Sequence, residues 1–185
     1  MRIFTILLCS LFFFSYSIVM ATEETSYDLV SKNNIYEIRK YSDRLAIETI
    51  TSSQNNNFRK LFNYISGNNQ SKQEIKMTVP VTRIEKNGNM MMQFYLPVKF
   101  NEDTIPNPLD DDVKVVKIDG GYFAVLKYSG RTSDDNFIKY KNILQKELIN
   151  NDISIKNFPI RATYNSPFTL PIFRRNEVMF EIDYK

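Results

Sequence analysis

Two stretches of the chain alternate apolar and polar residues with the period of half-buried strands. Ile35-Tyr36-Glu37-Ile38-Arg39-Lys40-Tyr41 is the first, Ser42-Asp43 makes a turn, and Arg44-Leu45-Ala46-Ile47-Glu48-Thr49-Ile50 follows as its hairpin partner. Farther on, Val113 to Ile118 and Tyr122 to Tyr128 repeat the arrangement around Asp119-Gly120-Gly121, residues suited to a hairpin turn that needs positive φ. After each hairpin the period lengthens. Phe58, Leu61, Phe62 and Ile65 recur at helical spacing ahead of Gly67, which predicts a helix over Asn56–Ser66 closed by a glycine cap. Phe137, Tyr140, Leu144 and Leu148 follow a capping-box-like Thr132-x-x-Asp135, which predicts a second helix over Asp134–Ile149. Each helix leads into two more strands, Lys76 to Thr82 and Met90 to Leu96 in the first case, Ile160 to Tyr164 and Glu177 to Ile182 in the second.

The order hairpin, helix, strand pair therefore occurs twice. Ala46 matches Ala124, Phe58 matches Phe137 and Phe94 matches Phe180, at offsets of 78, 79 and 86 that grow as loop insertions make them grow. Pro97 to Asp112, with Pro106, Pro108 and three consecutive aspartates, reads as the surface connector between the copies. The expected fold is α+β: duplicated ββα-ββ units forming a distorted antiparallel β-barrel flanked by two helices.

The first twenty-one residues stand outside this pattern. Arg2 precedes an apolar run from Ile3 to Leu8 and Leu11 to Phe14, and Val19-Met20-Ala21 supplies a small-residue end, the anatomy of a cleaved export signal. Cleavage after Ala21 would leave one domain, residues 22–185, in the periplasm or outside the cell. Ile3 to Met20 also approaches the length of a membrane span, which Ser10, Ser15 and Ser17 weaken, so an uncleaved anchor is the alternative.

Composition matters here mainly for what it removes. The chain has no histidine, and its one cysteine, Cys9, belongs to the export segment. Ser-His, Cys-His, zinc-His and thiolate mechanisms are excluded from the mature domain, and no metal site is expected. The net charge of +3 is spread among acidic residues, which gives no reason to expect nucleic acid. The five glycines fit neither phosphate-loop template, and Asp134-Asp135 reads as helix N-terminal charge rather than acid/base machinery. Met90-Met91-Met92 reads as strand filler, and Pro80 within Met77 to Thr82 as an edge or a bulge.

Two stretches remain as binding candidates. Phe58 and Phe62 are large for the flank of a small barrel, whereas Leu61 and Ile65 read as core. The connection Tyr164 to Glu177 carries Phe168, Leu170, Ile172 and Phe173 with two prolines, where loops are normally polar; such residues either cover a core edge or line a ligand site. Beside them Arg174 and Arg175 either hold a ligand carboxylate bidentately or pair with a local carboxylate such as Glu177.

Lys76-Met77-Thr78-Val79-Pro80-Val81-Thr82 and Arg161-Ala162-Thr163-Tyr164-Asn165-Ser166-Pro167-Phe168-Thr169, followed by Arg174-Arg175-Asn176-Glu177-Val178, together resemble the paired motifs of the SOUL heme-binding family; Phe94-Tyr95-Leu96-Pro97 and Tyr36 to Tyr41 match as well. The resemblance runs from about Thr25 to Asp183. It implies a duplicated barrel shared with effector-binding domains, and heme or a related porphyrin held in a shallow apolar cleft between the first helix and the loop before the last strand. Carried over by position, the cofactor-binding residues are Phe58, Leu61, Phe62, Phe168, Leu170, Phe173, Arg174 and Arg175, with no catalytic residue. Some members use an axial histidine, which this chain lacks. Others have a lysine where Leu170 stands and a basic residue near Asn55; without them Arg174, Arg175, Arg59 and Lys60 are left as propionate partners. Side-chain ligation of iron would then fall to groups such as Tyr64, Met77 or Tyr164. The resemblance implies a non-enzymatic, monomeric carrier or buffer of a tetrapyrrole, with a membrane partner only if the export segment stays attached. An effector-binding or protein-interaction module with another partner is the alternative, and a tetrapyrrole chelatase a third reading.

Overall fold

The computed structural model describes residues 22–51 and 54–184; the expected export segment lies outside them. In chain order the elements are β1 (Glu23–Glu24), β2 (Asp28–Lys32), β3 (Glu37–Tyr41), β4 (Arg44–Thr51), α1 (Gln54–Ile65), β5 (Thr78–Val79), β6 (Val81–Lys86), β7 (Asn89–Tyr95), β8 (Lys114–Ile118), β9 (Gly121–Tyr128), α2 (Asp134–Asn150), β10 (Ile160–Thr163), a 3-10 turn (Pro171–Phe173) and β11 (Asn176–Ile182). Nine strands form one curled sheet in the order β2-β3-β9-β11-β10-β6-β7-β4-β8, antiparallel at every pairing, and β1 pairs with β5 in a separate parallel ribbon.

The expected α+β duplication is present, and the sheet order displays it: counting outward from the β10–β6 boundary, the first four strands on each side are counterparts from the two copies, and β2 lies beyond them. The two expected hairpins, however, are absent. β3 pairs with β9 rather than β4, and β8 pairs with β4 rather than β9. Each copy thus lends its first strand to the other. The links Ser42-Asp43 and Asp119-Gly120 cross, with Gly120 N–H donating to Asp43 Oδ1 at 2.8 Å. Gly120 is required by proximity rather than by φ: neither it nor Gly121 has positive φ, and a Cβ at 120 would stand 2.5 Å from the Tyr41 carbonyl oxygen. Alternation along a strand records which side is buried but not which neighbour supplies the hydrogen bonds, so the exchange left no trace in the pattern.

One face of the sheet carries both helices. α1 lies on β4 and β7, burying Leu61, Tyr64 and Ile65 against Ile47, Val81, Met92 and Phe94. α2 lies on β9 and β11, burying Leu144 and Leu148 against Ala124, Leu126, Val178 and Phe180. Each such leucine stabilises by roughly 1.5–3 kcal/mol. Gly67, at φ +103°, ends α1 as expected. Ser133 rather than Thr132 caps α2, accepting from the Asn136 N–H. Pro80, after a cis Val79–Pro80 bond, splits the expected strand over 76–82 into β5 and β6.

Candidate functional site between the two helices

Because α1 covers β4 and β7 and α2 covers β9 and β11, the middle strands β6 and β10 form the floor of a groove between them. Register shows which side chains floor it. Met92, Arg83, Arg161 and Val178 stand in one row across β7, β6, β10 and β11, and Met92 and Val178 belong to the two helix-side cores. Arg83 and Arg161 therefore project from the helix-side face. The Arg161 guanidinium stacks 4.4 Å from the Phe137 ring of α2 and pairs with Asp134 at 2.7 Å.

The wall formed by α1 is apolar. Phe58 and Phe62 stack nearly parallel, centroids 5.9 Å apart at 13°, and remain 43% and 45% exposed. Phe58 also meets Phe94 edge-on at 5.3 Å. Lys60 occupies the opposite flank of α1, paired with Asp110 and Asp112 ahead of the edge strand β8. The phenylalanine pair thus faces away from that edge, toward β6. Leu61 corrects the expected set: it is fully buried beneath the pair, where it holds the helix down and cannot touch a surface ligand.

The β10–β11 connection leaves the sheet just past Thr163, at the end of the floor, and is apolar where it is most exposed: Phe168 is 93% exposed and Phe173 70%, with Leu170 and Ile172 also open. Arginine holds its shape. Arg174 donates to the carbonyls of Thr169 and Pro167 and to Thr132 Oγ1, and Gly130 N–H donates to the Pro171 carbonyl. Arg175 lies 3.7 Å over the Tyr164 ring and donates to both Glu24 and Glu177. Both arginines, expected as ligand partners, are committed within the protein; for Arg175 the local carboxylate Glu177 has the partnership.

Behind the sheet, on the face turned from the helices, a second polar cluster is closed on itself. Arg39, fully buried, donates to both oxygens of Glu177 at 3.0 Å, to Glu37 at 2.6 and 2.9 Å and to Tyr41, under the Tyr27 ring. Tyr164 Oη donates to Glu177 at 2.7 Å, and burial pushes that phenol well above its ordinary range. Tyr64 Oη donates to the Pro106 carbonyl, burial pushing it up to about 12. Two of the three suggested iron ligands are thus spoken for; Met77 is half-buried against the α1 core. A cavity of about 310 Å³ near Arg44, lined by Leu45, Leu96, Pro97, Val98 and Phe100, contains none of the groove residues. Among the described residues no helix is long and apolar enough to cross a membrane, and no cluster of Asp, Glu, Cys or His is arranged to hold a metal ion.

Sequence reasoning missed Arg83 and met Arg161 only as the first residue of the second motif. Their offset of 78 is that of Ala46 and Ala124, so the repeat itself aligns arginine with arginine.

The fold is that of known solved structures. The EcmrR C-terminal domain superposes with a TM-score of 0.60 at 11% identity, covering 85% of this chain and 98% of that one. A hydrolase from Listeria innocua gives 0.57 at 8% identity, covering 83% and 94%. At the level of sequence, the family model described as SOUL heme-binding protein matches residues 22–181. The chain belongs to that family. Among its curated relatives, Heme-binding protein 2 of Mus musculus is 27% identical over 168 residues, covering 82% of this chain and 80% of its own, and Heme-binding protein 2 of Homo sapiens is 28% identical over 160 residues, covering 77% and 76%.

Proposed function

We propose that this protein binds heme or a related tetrapyrrole in the groove between its helices and acts as an exported carrier or buffer rather than as a catalyst. Family membership supports the ligand class. The observation that carries the location is the exposed Phe58–Phe62 stack, a flat apolar platform at the mouth of a groove whose far end is an apolar loop. A macrocycle is flat and apolar on both faces with carboxylates on one edge, and these residues fit its faces. They do not offer histidine or cysteine to an axial position.

When bound, iron would supply the redox and ligand-exchange chemistry of heme. The chain's own part would be to bind and to exclude water: Phe58 and Phe62, with the exposed Phe168, Leu170 and Phe173, would supply the apolar contacts, and Leu61 seats the helix beneath. Affinity then comes from apolar contact. Because each phenylalanine is already half-covered, removing one costs about 1 kcal/mol of binding, roughly five- to tenfold. The absence of histidine and of any described cysteine removes the Ser-His, Cys-His and thiolate mechanisms, which supports the carrier reading. The signal anatomy of residues 1–21 supports export with cleavage after Ala21.

Absorbance titration with hemin tests the location. Phe62→Ala should weaken binding five- to tenfold with the fold intact. Unchanged affinity would place the ligand elsewhere, and no binding by the parent protein would return the groove to the interaction-module reading. N-terminal sequencing of the protein recovered from its native cell should begin near Thr22; an intact Met1 in the membrane fraction would instead establish an anchor.

A further inference from the structure

Arg83, partly buried, forms no ion pair among the described residues. Its Nε is sealed from solvent with no acceptor, and no hydrogen bond or ion pair to it forms among the described residues. Its cross-strand neighbour is Arg161, a like charge directly opposite, which a sheet disfavours. Burial and then the Arg161 charge hold Arg83 below the usual guanidinium range, and only Asp134, itself engaged with Arg161, pulls the other way. Tyr128 adds a second orphan: its hydroxyl is buried without a partner on the same face, near enough to Arg161 to feel its charge, under the stacked Tyr140 ring. A sealed donor on an uncompensated cation costs stability unless something else satisfies it. Two arginines and one exposed carboxylate leave the floor with an excess of positive charge, flanked by the Phe58–Phe62 platform on one side and Phe137 on the other.

We propose that Arg83 and Arg161, paired across the pseudo-twofold boundary of the sheet, hold the carboxylates of the groove's ligand. This assignment rests on the tetrapyrrole reading and sharpens it: the ligand's apolar faces meet the phenylalanines, and its acidic edge turns down onto the floor. It gives the acidic edge partners in place of Arg174 and Arg175, which the protein itself occupies. Arg161 stays aligned by Phe137 while it exchanges exposed Asp134 for a ligand oxygen. The preferred ligand class is therefore a dicarboxylic porphyrin rather than a neutral one.

The test compares protoporphyrin IX with its dimethyl ester, which keeps the macrocycle and removes the acidic edge. The purified protein should bind the free acid at least tenfold more tightly than the ester, and added salt should shrink the difference. The double variant Arg83→Gln, Arg161→Gln should bind both as the parent binds the ester. Independently of any variant, the Arg83 Nε–H resonance should shift on adding the free acid and not on adding the ester. Equal affinity of the parent for acid and ester, or an acid preference that survives in the double variant, overturns the assignment while leaving tetrapyrrole binding in place. Failure to bind either compound overturns both.

Discussion

On the face of the sheet turned from the helices, Arg39 lies fully buried between Glu37 and Glu177, with Arg175, Glu24, Tyr41 and Tyr164 completing the cluster. On the helix-side face Arg83 lies partly buried opposite Arg161, whose exposed partner Asp134 makes no ion pair with it, and its sealed Nε has no acceptor. Both pairs are basic and strand-borne in one sheet. The difference lies in completeness. A cluster whose donors and acceptors are all matched fixes the structure and leaves nothing for a ligand; one left short of negative charge between the two helices has binding capacity to spare. Counting partners therefore separates arginines that hold the protein together from those free to hold something else.

Removing one member of each pair should break the two faces very differently. Arg39→Leu strands Glu177 and Glu37 in the interior and should lower unfolding free energy by about 3–5 kcal/mol. Arg83→Leu removes an uncompensated cation and should leave stability unchanged or raise it by about 1 kcal/mol. Denaturant midpoints at constant slope would show it; equal losses would mean that Arg83 has a structural partner after all. The next contrast is within α1. Leu61→Ala should cost about 2–5 kcal/mol of stability, the usual range for a core leucine. Phe62→Ala, at 45% exposure, should cost less than about 1 kcal/mol of stability and appear mainly in ligand affinity.

Acid should weaken the closed cluster through Glu37. Burial alone would raise Glu37, but hydrogen bonding and charge from Arg39, with Lys32 and Lys127 behind them, hold it down at about 2. A carboxylate lowered on folding contributes stability that is complete above its unfolded value near 4 and lost as pH falls toward about 2. Glu37→Gln should therefore flatten the stability profile between those limits, and an unchanged profile would show that Glu37 is not held down by Arg39.

The helices and the duplicated strands were legible because each depends on local period, whereas β1 and β2, which precede the repeat, were not. The 3.6-residue recurrence of Phe58, Leu61, Phe62 and Ile65 and the cap at Gly67 place α1 within two residues at each end. The strand exchange was not legible, because Asp119-Gly120-Gly121 carries the same residues whether it turns a hairpin or lets two chains cross; Gly120 serves the second purpose, which only the 2.5 Å approach to Tyr41 reveals. The phenylalanine platform and the apolar loop were visible as residue types out of place. Arg174 and Arg175 drew attention by being adjacent, yet adjacency on an extended chain sends two side chains in opposite directions, and each found partners of its own. Arg83 and Arg161 are 78 positions apart and come together only through the β6–β10 pairing.

The central claim is that apolar contact in the groove, not iron coordination, holds the ligand. It is tested most directly by titrating the purified protein with hemin and with metal-free protoporphyrin IX under the same conditions. The account predicts dissociation constants within a few-fold of each other, since no histidine exists to favour the metal. Hemin binding a hundredfold more tightly, about 2.7 kcal/mol, would show that coordination dominates and would contradict it.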